Sequence, residues 1–364
     1  MPSKNYSFIV VQIATPHSIG TGFCLNSNGI IVTNENIVRD SRRVVVEHPD
    51  QGKQEGEVLF LDPKRDVAIL RIAKPYRLDY PSIEKDVSVN IGDRVVALGG
   101  ALEETQLQEV GAIKEMDVDI DDVSYIQHSA VLNSVDSGSP LLSEQGKLLG
   151  VNTFMVKGGE MAGLALPVGD LLDVLERLEL GEGKTGCCCA NCRTTVYEGN
   201  RSGNECPNCR EIIQLPSLIE PYQPVGVAAT IESILSKTVR EIALARRGPS
   251  CWQVEQGSAT INISYYEKNG LIIGDAHLCM LPLKENEALY SYLLKQNFKI
   301  ENLAFSIRNE EIVLSLMIYD RYLNEVTGHS LFQYLFQQAD DFDNILVEKY
   351  GARWMEKNSF TGLS

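Results

Sequence analysis

"TGFCLNSNGIIVTNENIVRD", residues 21–40, decides how the first half of this chain is read. Two apolar runs, around Phe23 and over Ile30–Val32, flank the polar turn "NSNG". That pattern reads as strand, tight turn, strand, and then a loop that carries Asn36.

Similar short β-rich runs continue on both sides: "YSFIVVQI", "SRRVVVEH", "GEVLFL", "DVAILRI", "DRVVALG" and "LLGVNTFMV". Many short strands separated by turn signals predict an all-β barrel or sandwich. "PVGDLLDVLERLEL" follows, with Leu171, Leu172, Leu175 and Leu178 at helical spacing. "GEGKTG", 181–186, reads as a linker.

The chain has 364 residues, of which 44% are hydrophobic, so two or three domains with buried cores are expected. No apolar run reaches membrane-spanning length. The net charge of −16 argues against nucleic acid and anionic membranes as partners. The start, "MPSKNYSFIVVQIA", does not read as a secretory signal. Six of the nine cysteines crowd into residues 187–209 in a metal-ligand pattern. Together these features predict reduced thiols and a cytoplasmic location.

In chain order, "GTGFCLNSNGIIVTN", "DPKRDVAILRI", "GDRVVALGG", "VGAI", "IQHSAVLNSVDSGSPLLSEQGKLLGVNT" and "GLALPV" resemble successive segments of an HtrA-type member of the trypsin-like (chymotrypsin-fold) serine peptidases. The resemblance covers residues 1–180 and implies two six-stranded β-barrels with a site in the cleft between them. It places the nucleophile at Ser137, the carboxylate at Asp66 and the histidine position at Asn36. It also implies oxyanion donors at Val135 and Asp136, and a specificity-pocket floor at Val131 that favours apolar side chains.

A serine hydroxyl is a poor nucleophile until an imidazole takes its proton, and a buried carboxylate fixes that imidazole. An amide at position 36 cannot accept the proton. Loss of the histidine costs about six orders of magnitude in turnover. Val135 and Ser139 replace two further glycines of the family pattern, and losing one oxyanion donor costs roughly 10²–10³ in rate. His17, His48 and His128 read as ordinary loop or strand histidines, with His17 the least implausible substitute base.

"CCCANCRTTVYEGNRSGNECPNCR" carries Cys189-x-x-Cys192 and Cys206-x-x-Cys209. Two such knuckles present four thiolates to one tetrahedral ion, and the pattern resembles a zinc ribbon over 187–215. Four thiolates leave no open position, which predicts a structural Zn²⁺. Cys187 or Cys188 is an alternative to Cys189 as the first ligand.

Residues 226–356 change texture to mixed α and β, with predicted order α-β-β-β-α-β-β-α. The first helix is expected over "TIESILSKTVREIALARRG", 230–248, with Ile231, Leu235, Val239 and Ile242 on one face. The order resembles the type III secretion chaperone-like fold in its YbjN-like branch, which implies protein-segment binding and a homodimer. The expectation is therefore a bacterial pseudoprotease, acting as a peptide-binding adaptor or regulator. The alternative is an active serine endopeptidase, or a base-deleted form of one, using Ser137.

Overall fold

The computed structural model describes residues 9–355, apart from 86, 88, 100–106, 158–159, 200–203, 257–258 and 285. The start of the first expected strand, 6–8, and residue 356 lie outside the described residues. The chain divides into two compact units, Met1–Tyr222 and Gln223–Ser364.

In the first unit, β1 (Val10–Ala14), β2 (Ile19–Cys24), β3 (Ile30–Thr33), β4 (Arg43–His48), β5 (Gly52–Asp62) and β6 (Val67–Ile72) close into a six-stranded barrel. The closing pairs are β1 with β4 and β5 with β6. The β2–β3 turn forms because the Asn26 side chain accepts the Asn28 N–H at 2.9 Å. Gly29 takes φ +77° there, and a Cβ on it would meet the Ile72 carbonyl at 2.5 Å. A one-turn helix, α1 (Glu35–Val38), joins β3 to β4.

The second closed barrel comprises β7 (Arg94–Gly99), β8 (Leu107–Ile120), β9 (Val123–His128), β10 (Pro140–Ser143), β11 (Leu148–Lys157) and β12 (Glu160–Pro167). The all-β double barrel expected from the sequence is therefore present. Its interior residues include Val95, Ile113, Ile126, Leu141 and Leu149. Phe23, Phe60 and Ile69 of the first barrel join Leu142, Val151 and Leu166 of the second in another apolar cluster. The helix α2 (Val168–Leu180) adds Leu171 and Val174 to that cluster.

Two short strands follow, β13 (Gly186–Cys188) and β14 (Thr195–Tyr197). β14 pairs with β13, and β13 runs parallel to β5. The cysteine-rich segment thus extends the first barrel's sheet to eight strands.

The second unit contains α3 (Gly226–Leu235), α4 (Ile242–Ala245), β15 (Cys251–Gln256), β16 (Ala259–Tyr266), β17 (Leu271–Met280), α5 (Glu287–Lys299), β18 (Leu303–Arg308), β19 (Glu311–Tyr319), α6 (Glu325–Tyr350) and β20 (Arg353–Trp354). Its antiparallel sheet has the order β15-β16-β17-β19-β18, with β20 on β17. Ile261, Ile263, Ile272, Leu314 and Leu316 face Ile234, Phe332 and Leu335 of the helices in one core.

The single helix expected over 230–248 is broken. α3 stops at Leu235, and the chain turns back so that Arg246 meets the buried Glu232 at 2.7 Å. Trp252 Nε1 donates to the same carboxylate at 3.1 Å. In a continuous helix, Glu232 and Arg246 would lie about 21 Å apart along the axis. Satisfying a buried charge outweighs helix propensity here.

Candidate active site and cysteine cluster

Asp66 stands in the turn between β5 and β6 with φ +52°, a left-handed conformation that aspartate tolerates better than most residues. Its carboxylate is fully engaged. Asn36 donates its backbone N–H to Oδ1 at 2.9 Å and its side-chain amide to Oδ2 at 3.3 Å. Thr153, on β11 of the other barrel, donates to Oδ2 at 3.2 Å. Asn34 donates to the Asp66 carbonyl at 2.7 Å. Burial raises the Asp66 pKa, against the lowering effect of the Asn36 N–H, the Thr153 hydroxyl and the Arg39 charge.

Beside this carboxylate, Glu35 is only 4% exposed and pairs with Arg39 at 2.8 Å. Burial pushes its carboxyl up to about 6, although Arg39 pulls the other way.

Ser137 follows a 3-10 turn, Ser134–Asp136, and is 7% exposed. Its carbonyl accepts the Thr21 N–H at 3.2 Å, and Thr21 Oγ1 donates to the Val135 carbonyl at 2.7 Å. Gly138 has φ +89°. A Cβ there would lie 2.3 Å from the Thr21 carbonyl and 2.9 Å from the Asn34 N–H nitrogen. Only glycine lets the serine turn press against the β2–β3 hairpin and the residue that leads into Asn36. The structure therefore gathers the Ser137 turn, Asn36 and Asp66 into one region where the two barrels meet.

The positions expected to hold an oxyanion are Val135 and Asp136. The Asp136 N–H is spent on the Asn133 carbonyl at 3.0 Å, and its carboxylate accepts the Asn133 N–H at 2.8 Å. Val135 is accommodated inside the 3-10 turn and is 43% exposed. The side chain of Val131 is 67% exposed.

No other histidine touches Asp66 among the described contacts. His17 is exposed, with its ring edge-on to Tyr222. His48 is buried against Tyr76 and accepts the Asp50 N–H at 3.1 Å. His128 is more than a strand residue. It is 3% exposed, and Nε2 lies 3.1 Å from Asn152 Oδ1. Asn152 Nδ2 in turn donates to Ser139 Oγ at 3.0 Å. The amide oxygen of Asn152 can only accept, so His128 carries its proton on Nε2. Its Nδ1 is buried without a hydrogen-bond partner. Asn152 also exchanges backbone bonds with the serine turn, taking the Gly138 N–H and giving its own to the Ser139 carbonyl, both at 2.8 Å.

In the cysteine segment, the Sγ atoms of Cys189, Cys192, Cys206 and Cys209 all lie within 4.8 Å of one another. Cys189–Cys209 and Cys192–Cys206 are each 3.5 Å apart. A tetrahedral ion with metal–sulfur bonds of about 2.3 Å needs sulfurs roughly 3.8 Å apart. The four residues fit that group. The two knuckles are alike: Arg193 at φ +59° donates to the Cys189 carbonyl, and Arg210 at φ +65° donates to the Cys206 carbonyl. Cys187 and Cys188 point into apolar clusters instead. Burial pushes both of their thiols up to about 12.

Residues 20–151 match the model of the trypsin-like peptidase domain. Serine protease HTRA1A of Danio rerio is 29% identical over 230 residues, covering 60% of this chain and 46% of that protein. Serine protease HTRA2, mitochondrial, of Bos taurus is 34% identical over 45% of this chain and 37% of its own length. The probable periplasmic serine endoprotease DegP-like of Chlamydia pneumoniae is 34% identical over 42% and 32%. The chain thus spans about a third to a half of the length of these curated relatives. Among solved structures, a serine endoprotease from Yersinia pestis aligns at 25% identity and TM-score 0.44, covering 50% of this chain and 69% of that one. The mitochondrial and periplasmic addresses in the relatives' names overturn the cytoplasmic expectation. No helix among the described residues is long and apolar enough to cross a membrane.

Proposed function

We propose that this chain, which carries an HtrA-like, trypsin-like serine-protease domain over residues 20–151, holds protein or peptide segments at the junction of its barrels without cutting them efficiently. One observation carries the reading. Asn36 stands at the position that the resemblance gives to the histidine, and its amide is hydrogen-bonded to Asp66 at 3.3 Å. An amide in that position orients but cannot accept a proton, so Asn36 cannot act as the base for Ser137.

In this reading the modules are the protease-like domain 1–180, a linker 181–186, a zinc ribbon 187–215 and a type III secretion chaperone-like domain 226–356. The whole serves as an adaptor or regulator that brings a bound segment and a second protein partner together, with homodimerisation through the last domain. Cys189, Cys192, Cys206 and Cys209 hold Zn²⁺ in its all-thiolate, structural form.

A second reading, a serine endopeptidase using Ser137, is favoured by the intact support of Asp66. Asn36 and Thr153 still hold the carboxylate.

A fluorophosphonate probe that labels activated serines separates the two. The expected result is no labelling of the native chain. Labelling that disappears in Ser137→Ala overturns the non-cutting reading and establishes the second.

A further inference from the structure

The cysteine segment is not a bead beside the barrel. β13 lies parallel to β5, with Gly186 opposite Phe60 and Cys187 opposite Leu61. The very next residue on the barrel strand, Asp62, accepts the Arg65 N–H at 3.2 Å and pairs with its guanidinium at 3.3 Å. Arg65 reaches on to Asp170 and Asp173 of α2, both at 2.8 Å. Asp66 follows directly. The strand that enters the first knuckle is therefore hydrogen-bonded to the strand that delivers the site carboxylate.

Two more contacts tie the segment down. Cys187, Val196, Cys206, Ile213 and Leu215 share an apolar cluster with Val11, Ile13, Leu61 and Leu70 of the first barrel. On the other side, Arg177 of α2 donates to Thr195 Oγ1 at 2.9 Å and to the Arg193 carbonyl at 3.3 Å. Tyr197 donates its hydroxyl to the Arg177 carbonyl.

We infer that the metal held by Cys189, Cys192, Cys206 and Cys209 sets the local stability of the first barrel's β5–β6 segment, and with it the position of Asp66. This rests on the zinc reading above. The physical reason is that a segment of under 30 residues buries too little to order itself, so the free energy of metal binding is its folding free energy. Without the ion, the two knuckles lose the bonds that would tie their four sulfurs to one centre. β13 and β14 then lose their register, β5 keeps an unpaired edge, and the Arg177 clamp on α2 opens. Among the described residues, no strand of the second barrel pairs with the cysteine segment.

The test uses the full chain. Metal content is measured by native mass spectrometry, then hydrogen exchange is followed before and after treatment with a high-affinity zinc chelator. One zinc per chain is expected. Chelation should speed exchange over 52–66 and 186–197 by about tenfold or more, while 94–99 and 271–280 stay unchanged. Cys209→Ser should reproduce this pattern without chelator. A chain that binds no metal sinks the zinc reading and the inference with it. A chain that binds one zinc, yet shows unaltered exchange over 52–66 after chelation, sinks the inference alone. Equal acceleration in the second barrel also overturns it.

Discussion

Asn36 grips Asp66 twice, through its backbone N–H at 2.9 Å and its side-chain amide at 3.3 Å. The carboxylate therefore keeps a donor where an imidazole N–H would stand, and the turn that carries it stays built. Asn36 itself offers no group that can take a proton.

Asn36→His should restore that group. Labelling by a fluorophosphonate is expected in this variant and not in the native chain. Because the Asp136 N–H is committed to Asn133 and Val135 fills the turn, the gain should be incomplete. Adding Val135→Gly should raise the labelling rate by roughly 10²-fold or more, the usual worth of one oxyanion donor. Equal rates in the single and double variants would show that Val135 is no obstacle.

Gly138→Ala should destabilise the first unit by about 3 kcal/mol or more, through its left-handed backbone and backbone clashes together. The new methyl would lie 2.3 Å from the Thr21 carbonyl. Chemical denaturation followed by circular dichroism reads this directly. A loss under about 1 kcal/mol would mean that the serine turn is free to lift away from the hairpin.

Glu35 has its folded pKa raised from 4.5 to about 6 by burial. The native state thus binds the proton more tightly than the unfolded chain. Its contribution is fully present below about pH 4.5 and is lost as pH rises through 6. Glu35→Gln should therefore stabilise the chain at pH 7 by about 1–2 kcal/mol and remove that slope. No change in melting temperature at pH 7 would refute the assignment.

His128 works in the opposite sense. Burial lowers its pKa from 6.5 to about 4, despite the Asn152 hydrogen bond. Stability is intact above pH 6.5 and falls as pH drops toward 4, because the unfolded chain takes up the proton first. The full effect is about 3 kcal/mol. His128→Gln keeps a donor for Asn152 and should flatten the stability profile between pH 6.5 and 4. A profile as steep as that of the native chain would place the acid sensitivity elsewhere.

Much of the fold was legible because it is written in local patterns. The turn at Asn26–Gly29, the short β-rich runs between turn signals and the paired Cys-x-x-Cys knuckles need only near neighbours. The Ser137 turn, Asn36 and Asp66 could be located from the ordered series of segments. What could not be read depends on contacts far apart in sequence. Nothing in "GVNT" says that Thr153 crosses from one barrel to support Asp66 in the other. His128 looked like a strand residue because Asn152 and Ser139, its network, lie on other segments. The break after Leu235 is decided by Glu232, Arg246 and Trp252 coming together, not by propensity.

The parallel seam between β5 and β13 also orders events in time. As the chain leaves the ribosome, β5 appears early, while Gly186 and Cys187 emerge only after the whole second barrel has been made. Until then the first barrel has a bare apolar margin and an uncapped strand edge, the kind of surface that chaperones hold and that neighbouring chains join. The last part of this half of the molecule to be made is thus the cysteine segment that covers that margin.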